Sequence, residues 1–297
     1  MAAFELSGAY TALVTPFTPD ASAIDWQAFE RLVESQLDAG ISGLVPCGTT
    51  GETPTLSESE QRELIAHTAK LVRGRVPVMA GTGSNSTHKT IDASRAALEA
   101  GADAIMVVMP YYNKPSQEGM RRHVEAVAKA VSAPIVLYNI PGRTGVELSV
   151  DTLIAILDAC PNVVGVKDAT GNVLRCQELI SRVGARCTVM SGDDGLTVPM
   201  MSVGAKGVVS VTSNLYPREV RECAAAALAG HWDTARELHL RLLPVHAAMF
   251  IEPNPQPVKA ALAARGRMSA SVRLPLLEAS EGAREKIAAV TRRFEAP

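Results

Sequence analysis

Residues 162–171 read NVVGVKDATG, a valine-rich run that ends on Lys167 and passes into a polar turn. A short apolar run bounded by turn residues is typical of a buried β-strand. Seven more β-rich runs occur along the chain, at residues 10–14, 43–47, 77–80, 104–108, 134–138, 188–190 and 207–210. Stretches of helical period separate them, such as residues 26–39, 58–72, 87–100 and 119–131. The sequence therefore alternates strands with helices eight times, with one strand at residues 163–167.

Eight βα units in about 230 residues are what a (β/α)8 TIM barrel needs, whereas a doubly wound sheet rarely needs so many even repeats. We therefore predict an α/β fold with a TIM barrel over residues 1–230. Residues 231–297 contain no strand candidate and read as three further helices. They predict a C-terminal helical extension rather than a second catalytic domain.

Composition and charge favour a soluble globular protein that acts on small molecules. The 297 residues are 47 % hydrophobic, and 29 basic and 31 acidic residues give a net charge of −2. Without a run of one charge, neither a nucleic-acid groove nor a basic membrane patch is expected. The first residues lack a signal-peptide pattern, and no apolar stretch reaches the ~18 residues of a membrane span. We therefore expect a cytoplasmic protein.

The cysteines and histidines do not point to a metal or a disulfide framework. Five cysteines are scattered without a CxxC pair, and six histidines show no HExxH spacing. The cysteines are interpreted as small core residues. We expect no metal site, although carboxylate ligands alone remain an alternative.

Polar and reactive residues follow the predicted strands at the ends where a TIM barrel places its function. The relevant segments are CGTTGE (47–52), MPYYNKP (109–115), YNIPGRTG (138–145), Lys167, SGDDG (191–195) and GVVSVTSN (207–214). Because the carboxyl ends of all strands in such a barrel meet at one rim, these segments are predicted to converge there.

Lys167 is the candidate reactive amine. At an ordinary lysine pKa of ~10.4 almost every amine is protonated at neutral pH, and burial lowers that pKa and frees the nucleophile. The alternatives are a strand-end lysine and an ion pair with Asp168, but adjacent strand residues point to opposite faces. Val163 and Gly165 are predicted to share the face of Lys167. Gly165 would leave room for a ligand or would only allow close packing.

Three further candidates would complete imine chemistry. Tyr138 ends the neighbouring strand and would shuttle protons, unless it is a core tyrosine. The GTTG turn offers backbone N–H groups and hydroxyls for a carboxylate or a phosphate, or is a plain glycine turn. Arg143 suits a carboxylate through its planar fork, unless it forms a surface ion pair.

The motifs GTTGE, PYYNKP, YNIPGRTG, GVKDATG, SGDDG, GVVSVTSN and EPNPQPVK, in this order, closely resemble those of the dihydrodipicolinate synthase family. The resemblance covers nearly the whole chain. It implies synthesis of 4-hydroxy-tetrahydrodipicolinate, on the lysine and diaminopimelate pathway, from pyruvate and L-aspartate 4-semialdehyde. Pyruvate would be held as an imine on Lys167, so no separate cofactor is expected.

The resemblance also assigns roles to residues. Tyr138, Thr50 and Tyr112 would form a proton relay, and Thr49 and Thr50 would hold the pyruvate carboxylate. The pyruvate site would be lined by backbone at Gly192 and Val209, and Arg143 would recognise the semialdehyde carboxylate. In the family the residue matching Tyr112 enters the neighbouring subunit's site, which implies at least an obligate dimer. Members of the family are usually dimers of dimers, so the resemblance implies a homotetramer.

Two other functions remain open. A pyruvate-forming aldolase acting on N-acetylneuraminate or a 2-keto-3-deoxy sugar acid shares the lysine and the tyrosine, although Arg143 and the second threonine of GTTG favour the synthase. A catalytically silent metabolite-binding barrel is disfavoured by the joint presence of the four catalytic candidates.

The residues at the family's lysine-feedback site depart from the pattern of inhibited members. The matching positions hold Glu58, Gln61 and Lys89, beside Asn85 and Tyr111. Lys89 would repel a lysine ligand, whereas Glu58 would offset part of that repulsion. We therefore predict weak or absent inhibition by L-lysine.

Overall fold

A computed structural model describes residues 4–296. The strands are β1 (Gly8–Ala12), β2 (Gly43–Val45), β3 (Met79–Gly81), β4 (Ala104–Val108), β5 (Ile135–Asn139), β6 (Val163–Asp168), β7 (Thr188–Ser191) and β8 (Gly207–Ser210). The helices are α1 (Trp26–Asp38), α2 (Glu58–Val72), α3 (Thr87–Glu99), α4 (Gln117–Ala130), α5 (Pro141–Thr144), α6 (Val150–Ala159), α7 (Val173–Val183), α8 (Thr197–Ser202), α9 (Pro217–Leu228), α10 (Trp232–Ala248), α11 (Gln256–Ala263) and α12 (Glu281–Glu295).

The eight strands form one parallel sheet that closes on itself. Their order is β2-β1-β8-β7-β6-β5-β4-β3, and a parallel bridge between Leu44 and Val78 joins the two ends. At this seam Leu44 N donates to Pro77 O at 3.0 Å and Gly81 N donates to Pro46 O at 3.0 Å. The predicted TIM barrel is thus confirmed, with strand bounds that differ from the prediction by up to two residues.

Side chains alternate between the inside of the barrel and the layer that faces the helices. Tyr10, Val45 and Met190 belong to an interior cluster, whereas Ile105 and Leu137 belong to the larger cluster under the helices. This alternation is the period of two that a pleated strand imposes. Because of this alternation, the last inward-facing side chain of each strand lies near the rim of the barrel.

Strand β6 contains an irregularity that the sequence pattern does not reveal. Its register with β5 steps from Ile135↔Val163 to Val136↔Gly165, so Val164 is an extra residue. Val163 therefore joins the helix-facing cluster, and the prediction that it shares a face with Lys167 is wrong. A Cβ at Gly165 would lie 2.4 Å from Leu6 Cδ2 and 3.0 Å from Thr188 O, so this glycine allows close packing and leaves no room for a ligand.

Local sequence signals set several helix ends. Ser57 and Glu60 form the reciprocal hydrogen bonds of a capping box at the start of α2. Gly40 and Gly101 follow α1 and α3 with φ of +72° and +101°, the left-handed region that glycine adopts without strain.

The five cysteines are buried free thiols, which confirms their interpretation as core residues.

The three predicted C-terminal helices are α10, α11 and α12, of which α10 packs on α9 and α12. Between α10 and α11, residues 249–255 return to the rim of the barrel, where Asn254 contacts Thr50. A domain boundary at residue 230 stays a prediction. Within residues 4–296 no helix is long and apolar enough to span a membrane.

Candidate active site

Lys167 lies at the carboxyl end of β6 and points into the barrel. Lys167 is only 6 % exposed, and its Nζ lies 4.1 Å from the centroid of the Tyr138 ring. Burial lowers the pKa of Lys167 from 10.5 to about 7; Asp194 opposes the shift and Arg143 adds to it. About half of the amines are then neutral at pH 7, when the pH equals the pKa.

Asp168 does not pair with this amine. It lies on the opposite face of β6, where Oδ2 accepts hydrogen bonds from Arg175 Nε at 3.0 Å and from Asn139 Nδ2 at 3.2 Å. Its Oδ1 accepts from Thr170 Oγ1 at 2.5 Å. The expectation that the strand pleat separates the two neighbours is confirmed.

Tyr138 stands directly beside Lys167, because the two residues are register partners in β5 and β6. Its side chain is buried and lines a cavity of about 470 Å³ at the rim. Burial raises the pKa of Tyr138 to about 12, with the Arg143 charge and the Thr49 hydroxyl opposing. The phenol is therefore protonated at neutral pH and is available as a proton donor.

The GTTGE segment leaves β2 as a tight 3-10 turn, Thr49–Gly51, which ends at Glu52 in the left-handed conformation with φ of 57°. Thr49 lines the rim cavity. Thr50 is buried, and its Oγ1 accepts a hydrogen bond from Asn254 Nδ2 at 3.0 Å. The turn thus holds one threonine at the cavity wall and the other against the C-terminal extension.

Arg143 lies in the short helix α5 and also lines the cavity. It takes part in none of the ion pairs within residues 4–296, and its Nη2 donates a hydrogen bond to Asn254 O at 3.5 Å. The alternative of a surface ion pair therefore has no support. A guanidinium without a carboxylate partner beside a cavity is suited to an anionic ligand.

Two backbone positions close the barrel around the amine. Gly192 follows β7 and donates from its N to Asp168 O at 2.7 Å; a Cβ there would lie 3.1 Å from Lys167 Cε. Val209 is a buried residue of β8 in the same interior cluster as Tyr138. A Cβ at Gly192 would also lie 2.7 Å from Ala169 Cβ, so a glycine is required here by the close approach of both Ala169 and the lysine side chain.

Tyr112 is the one catalytic candidate that a single chain does not bring to the site. Its side chain is 88 % exposed, with φ of 72°, and within the described residues it is not part of the cavity wall. The remaining candidates converge at the rim. Within one chain, Tyr112 therefore lies apart from the other members of the predicted relay.

Several polar residues at the rim were not predicted from the sequence. Asp194 is fully buried and its Oδ2 accepts from Val211 N at 2.8 Å and Thr212 N at 3.1 Å, which ties the loop after β7 to the loop after β8. Lys259 forms a buried ion pair with Glu52, Nζ to Oε1 2.7 Å. Asp194 belongs to the SGDDG segment, and Lys259 ends the proline-rich stretch EPNPQPVK, but nothing in that stretch tells which part of the barrel it contacts.

The cavity extends beyond the candidate catalytic residues. Its wall includes, together with Thr49 and Arg143, the side chains of Glu58, Gln61, Lys89 and Tyr111.

Residues 4–296 contain no group of three or more histidine, cysteine, aspartate or glutamate side chains placed to hold a metal. The candidate catalytic and binding groups at the rim are an amine, phenol and hydroxyl groups, and a guanidinium.

Comparisons with known proteins identify the relatives of this chain. The model of the dihydrodipicolinate synthetase family matches residues 5–293. A 4-hydroxy-tetrahydrodipicolinate synthase from Sorangium cellulosum is 61 % identical over 296 residues, which is 100 % of this chain and 98 % of that protein. The solved structure of the 4-hydroxy-tetrahydrodipicolinate synthase from Methylacidiphilum fumariolicum superposes with a TM-score of 0.96 at 45 % identity, covering 98 % of this chain and 96 % of that one. A monomeric dihydrodipicolinate synthase variant superposes with a TM-score of 0.95 at 39 % identity, covering 97 % of each chain.

Proposed function

The chain belongs to the dihydrodipicolinate synthetase family, and on that premise we propose that Lys167 carries its catalysis as an imine with pyruvate. The protein is an enzyme of the carbon–carbon lyase class, a 4-hydroxy-tetrahydrodipicolinate synthase in lysine and diaminopimelate biosynthesis. The observation that carries the proposal for Lys167 is its burial against Tyr138 with a pKa lowered to about 7. A buried, partly neutral amine at the rim of a TIM barrel is a competent nucleophile.

The proposed reaction begins when the neutral Nζ attacks C2 of pyruvate and forms a carbinolamine. Loss of water gives the imine, and removal of a proton from C3 gives the enamine. The enamine carbon attacks the aldehyde of L-aspartate 4-semialdehyde and forms the new carbon–carbon bond. The amino group of the semialdehyde then attacks the imine carbon, which closes the ring and releases the lysine. Because the imine itself is the electron sink, no separate cofactor is required.

Proton transfers in this sequence are assigned to Tyr138, Thr50 and Tyr112. The protonated phenol of Tyr138 lies beside the amine and suits a donor to the departing hydroxyl. The exposed Tyr112 would reach the site of a neighbouring subunit and connect the relay to solvent. We therefore infer that the enzyme works as a homo-oligomer, a homotetramer arranged as a dimer of dimers.

The two carboxylates of the substrates have separate proposed partners. Thr49 and Thr50 would bind the carboxylate of pyruvate, and backbone at Gly192 and Val209 would line its site. Arg143, which lacks an acidic partner within residues 4–296, would bind the carboxylate of the semialdehyde. Both substrates are small and water-soluble, which fits a cytoplasmic enzyme.

Trapping with borohydride tests the proposal. The enzyme is incubated with pyruvate and reduced, and the adduct is located by peptide mass spectrometry. We expect the label on Lys167 and none on Lys259. Lys259 is a second buried lysine that forms an ion pair with Glu52, so it serves as an internal control. A label elsewhere, or none, contradicts the mechanism.

A substrate panel separates the synthase from the sugar-acid aldolases that share its lysine and tyrosine. We expect turnover with pyruvate and L-aspartate 4-semialdehyde, and no cleavage of N-acetylneuraminate or 2-keto-3-deoxy sugar acids. Faster cleavage of a sugar acid than condensation with the semialdehyde would reverse the assignment of the acceptor and leave the imine chemistry intact.

A further inference from the structure

We propose that Asn254 is a positioning residue for the proton of Thr50 in the pyruvate half of the reaction. The inference rests on the proposed function and adds to it a residue from outside the eight βα units. Asn254 lies in the C-terminal extension, in the segment between α10 and α11, yet it contacts two candidates of the barrel rim, Thr50 and Arg143.

The direction of one hydrogen bond carries the inference. Asn254 is 6 % exposed, and its Nδ2 donates to Thr50 Oγ1 at 3.0 Å. An amide nitrogen can only donate, so it occupies a lone pair of the hydroxyl and leaves the hydroxyl proton pointing elsewhere. With the amide in the opposite orientation, Oδ1 would accept that proton and withdraw it from the relay.

The rest of Asn254 is not arranged for stability alone. Its Oδ1 is buried and has no hydrogen-bond partner within residues 4–296, and a buried acceptor without a donor lowers stability. A side chain retained only for folding would be expected to satisfy both ends of its amide. Its backbone O faces Arg143 Nη2 at 3.5 Å, so the same residue borders the group proposed to bind the second substrate.

An ion-pair network fixes Asn254 relative to Thr50. Glu52 closes the turn that carries Thr50, and both oxygens of its carboxylate are held by the C-terminal extension. Oε1 accepts from Lys259 Nζ at 2.7 Å, with both side chains 0–1 % exposed, and Oε2 accepts from Arg273 N at 3.0 Å. The two segments that must stay in register for the Asn254–Thr50 hydrogen bond are thus joined by a buried charge pair.

The chemical step in question is dehydration of the carbinolamine. The Tyr138 phenol passes its proton to the carbinolamine hydroxyl and recovers one from the Thr50 hydroxyl, which the rest of the relay reprotonates. The C–O bond breaks, water leaves, and the nitrogen lone pair forms the C=N bond. With Asn254 donating to Thr50, the hydroxyl proton is oriented before the substrate arrives, and proton transfer by a positioned group contributes a factor of about 100 or more.

The test compares Asn254→Leu, which removes the donor, with Asn254→Asp, which has the same shape but only accepts. Asn162→Asp is the matched control, since that amide donates to Ala128 O and Val131 O away from the rim. We measure kcat/KM for pyruvate, kcat/KM for the semialdehyde, and the rate of borohydride-trapped imine. Both Asn254 variants are expected to lose about 100-fold in kcat/KM for pyruvate and in trapping rate, with kcat/KM for the semialdehyde within about threefold.

Other results overturn the inference. An equal loss in both kcat/KM values indicates that the extension merely supports the site, because displacement of Asn254 O would disturb Arg143 as well. Unchanged kinetics also refutes it. In a double-mutant cycle, Asn254→Leu should cost little when added to Thr50→Val, and additive losses refute an action through Thr50. If Asn254→Leu fails to fold, the isosteric Asn254→Asp decides; if the wild type traps no pyruvate, the proposed function fails instead.

Discussion

Replacing Lys167 by methionine is expected to stabilise the protein while it abolishes the imine. Burial holds the pKa of Lys167 at about 7, whereas the unfolded chain has the ordinary value of 10.5. Between these values the unfolded state binds a proton that the folded state does not, so this group lowers stability and the penalty shrinks as the pH rises. Methionine has a similar length and no charge to desolvate.

The size of the effect follows from the two pKa values. At pH 7 the unfolded amine is fully protonated and the folded one is about half protonated, which corresponds to a penalty of about 4 kcal/mol. At pH 9 the same calculation leaves about 2 kcal/mol. Lys167→Met should therefore raise the free energy of unfolding by these amounts, with the difference from wild type roughly halved over two pH units.

Lys259→Met is the matched control, because this second buried lysine has a partner. Burial lowers the pKa of Lys259, but Glu52 opposes the shift through a 2.7 Å ion pair. Removing the lysine leaves a buried carboxylate without its counter-ion, which costs about 3–5 kcal/mol. The same chemical change is thus expected to stabilise at one site and destabilise at the other.

The assay is urea denaturation followed by circular dichroism at pH 7 and pH 9, for wild type and both variants. The reasoning about Lys167 is refuted if Lys167→Met is no more stable than wild type at pH 7. It is also refuted if the gain does not diminish at pH 9, because a gain from packing alone has no reason to follow the titration of an amine.

Four further outcomes follow from the site. The initial rate of imine trapping with pyruvate should rise with pH through about 7 as Lys167 becomes neutral, and a midpoint near 10 would contradict the lowered pKa. Arg143→Ala should lower kcat/KM for the semialdehyde by about 100-fold, the loss of a charged hydrogen bond, and spare imine trapping; equal losses in both would reject its assigned role. Tyr112→Phe should slow turnover about 10-fold or more without altering the oligomer seen by sedimentation, and retained turnover would remove it from the relay. L-Lysine should inhibit weakly or not at all, because Lys89 and Gln61 line the cavity where a basic ligand would sit, so inhibition at micromolar lysine in a steady-state assay would disprove the prediction.

The features that the sequence predicted are those set by local periodicity. The apolar strand runs and the helical period are encoded in short segments, and they sufficed to predict the TIM barrel and the place of Lys167 at its rim. The same pleat separated Lys167 from Asp168 correctly. Knowledge of strand adjacency then placed Tyr138 beside the amine.

What the sequence did not predict depends on departures from period or on distant contacts. The extra residue at Val164 reverses the face of Val163, and no composition signal marks it in a uniform run of valines. The contact of Asn254 with Thr50 joins residues 204 positions apart, and its geometry depends on how α10 packs on the barrel. Tyr112 differs from these cases, because the family resemblance already implied a place in a neighbouring subunit, and in the single chain its side chain is exposed.

The contacts between the C-terminal extension and the turn after β2 also have a consequence for synthesis of the enzyme. Thr50 and Glu52 emerge early in synthesis, whereas their partners Asn254, Lys259 and the backbone of Arg273 follow 204, 207 and 221 residues later. The turn that carries Thr50 therefore lacks these partners until residues 254–273 have been synthesised. We therefore expect full activity only once the last quarter of the chain has been made.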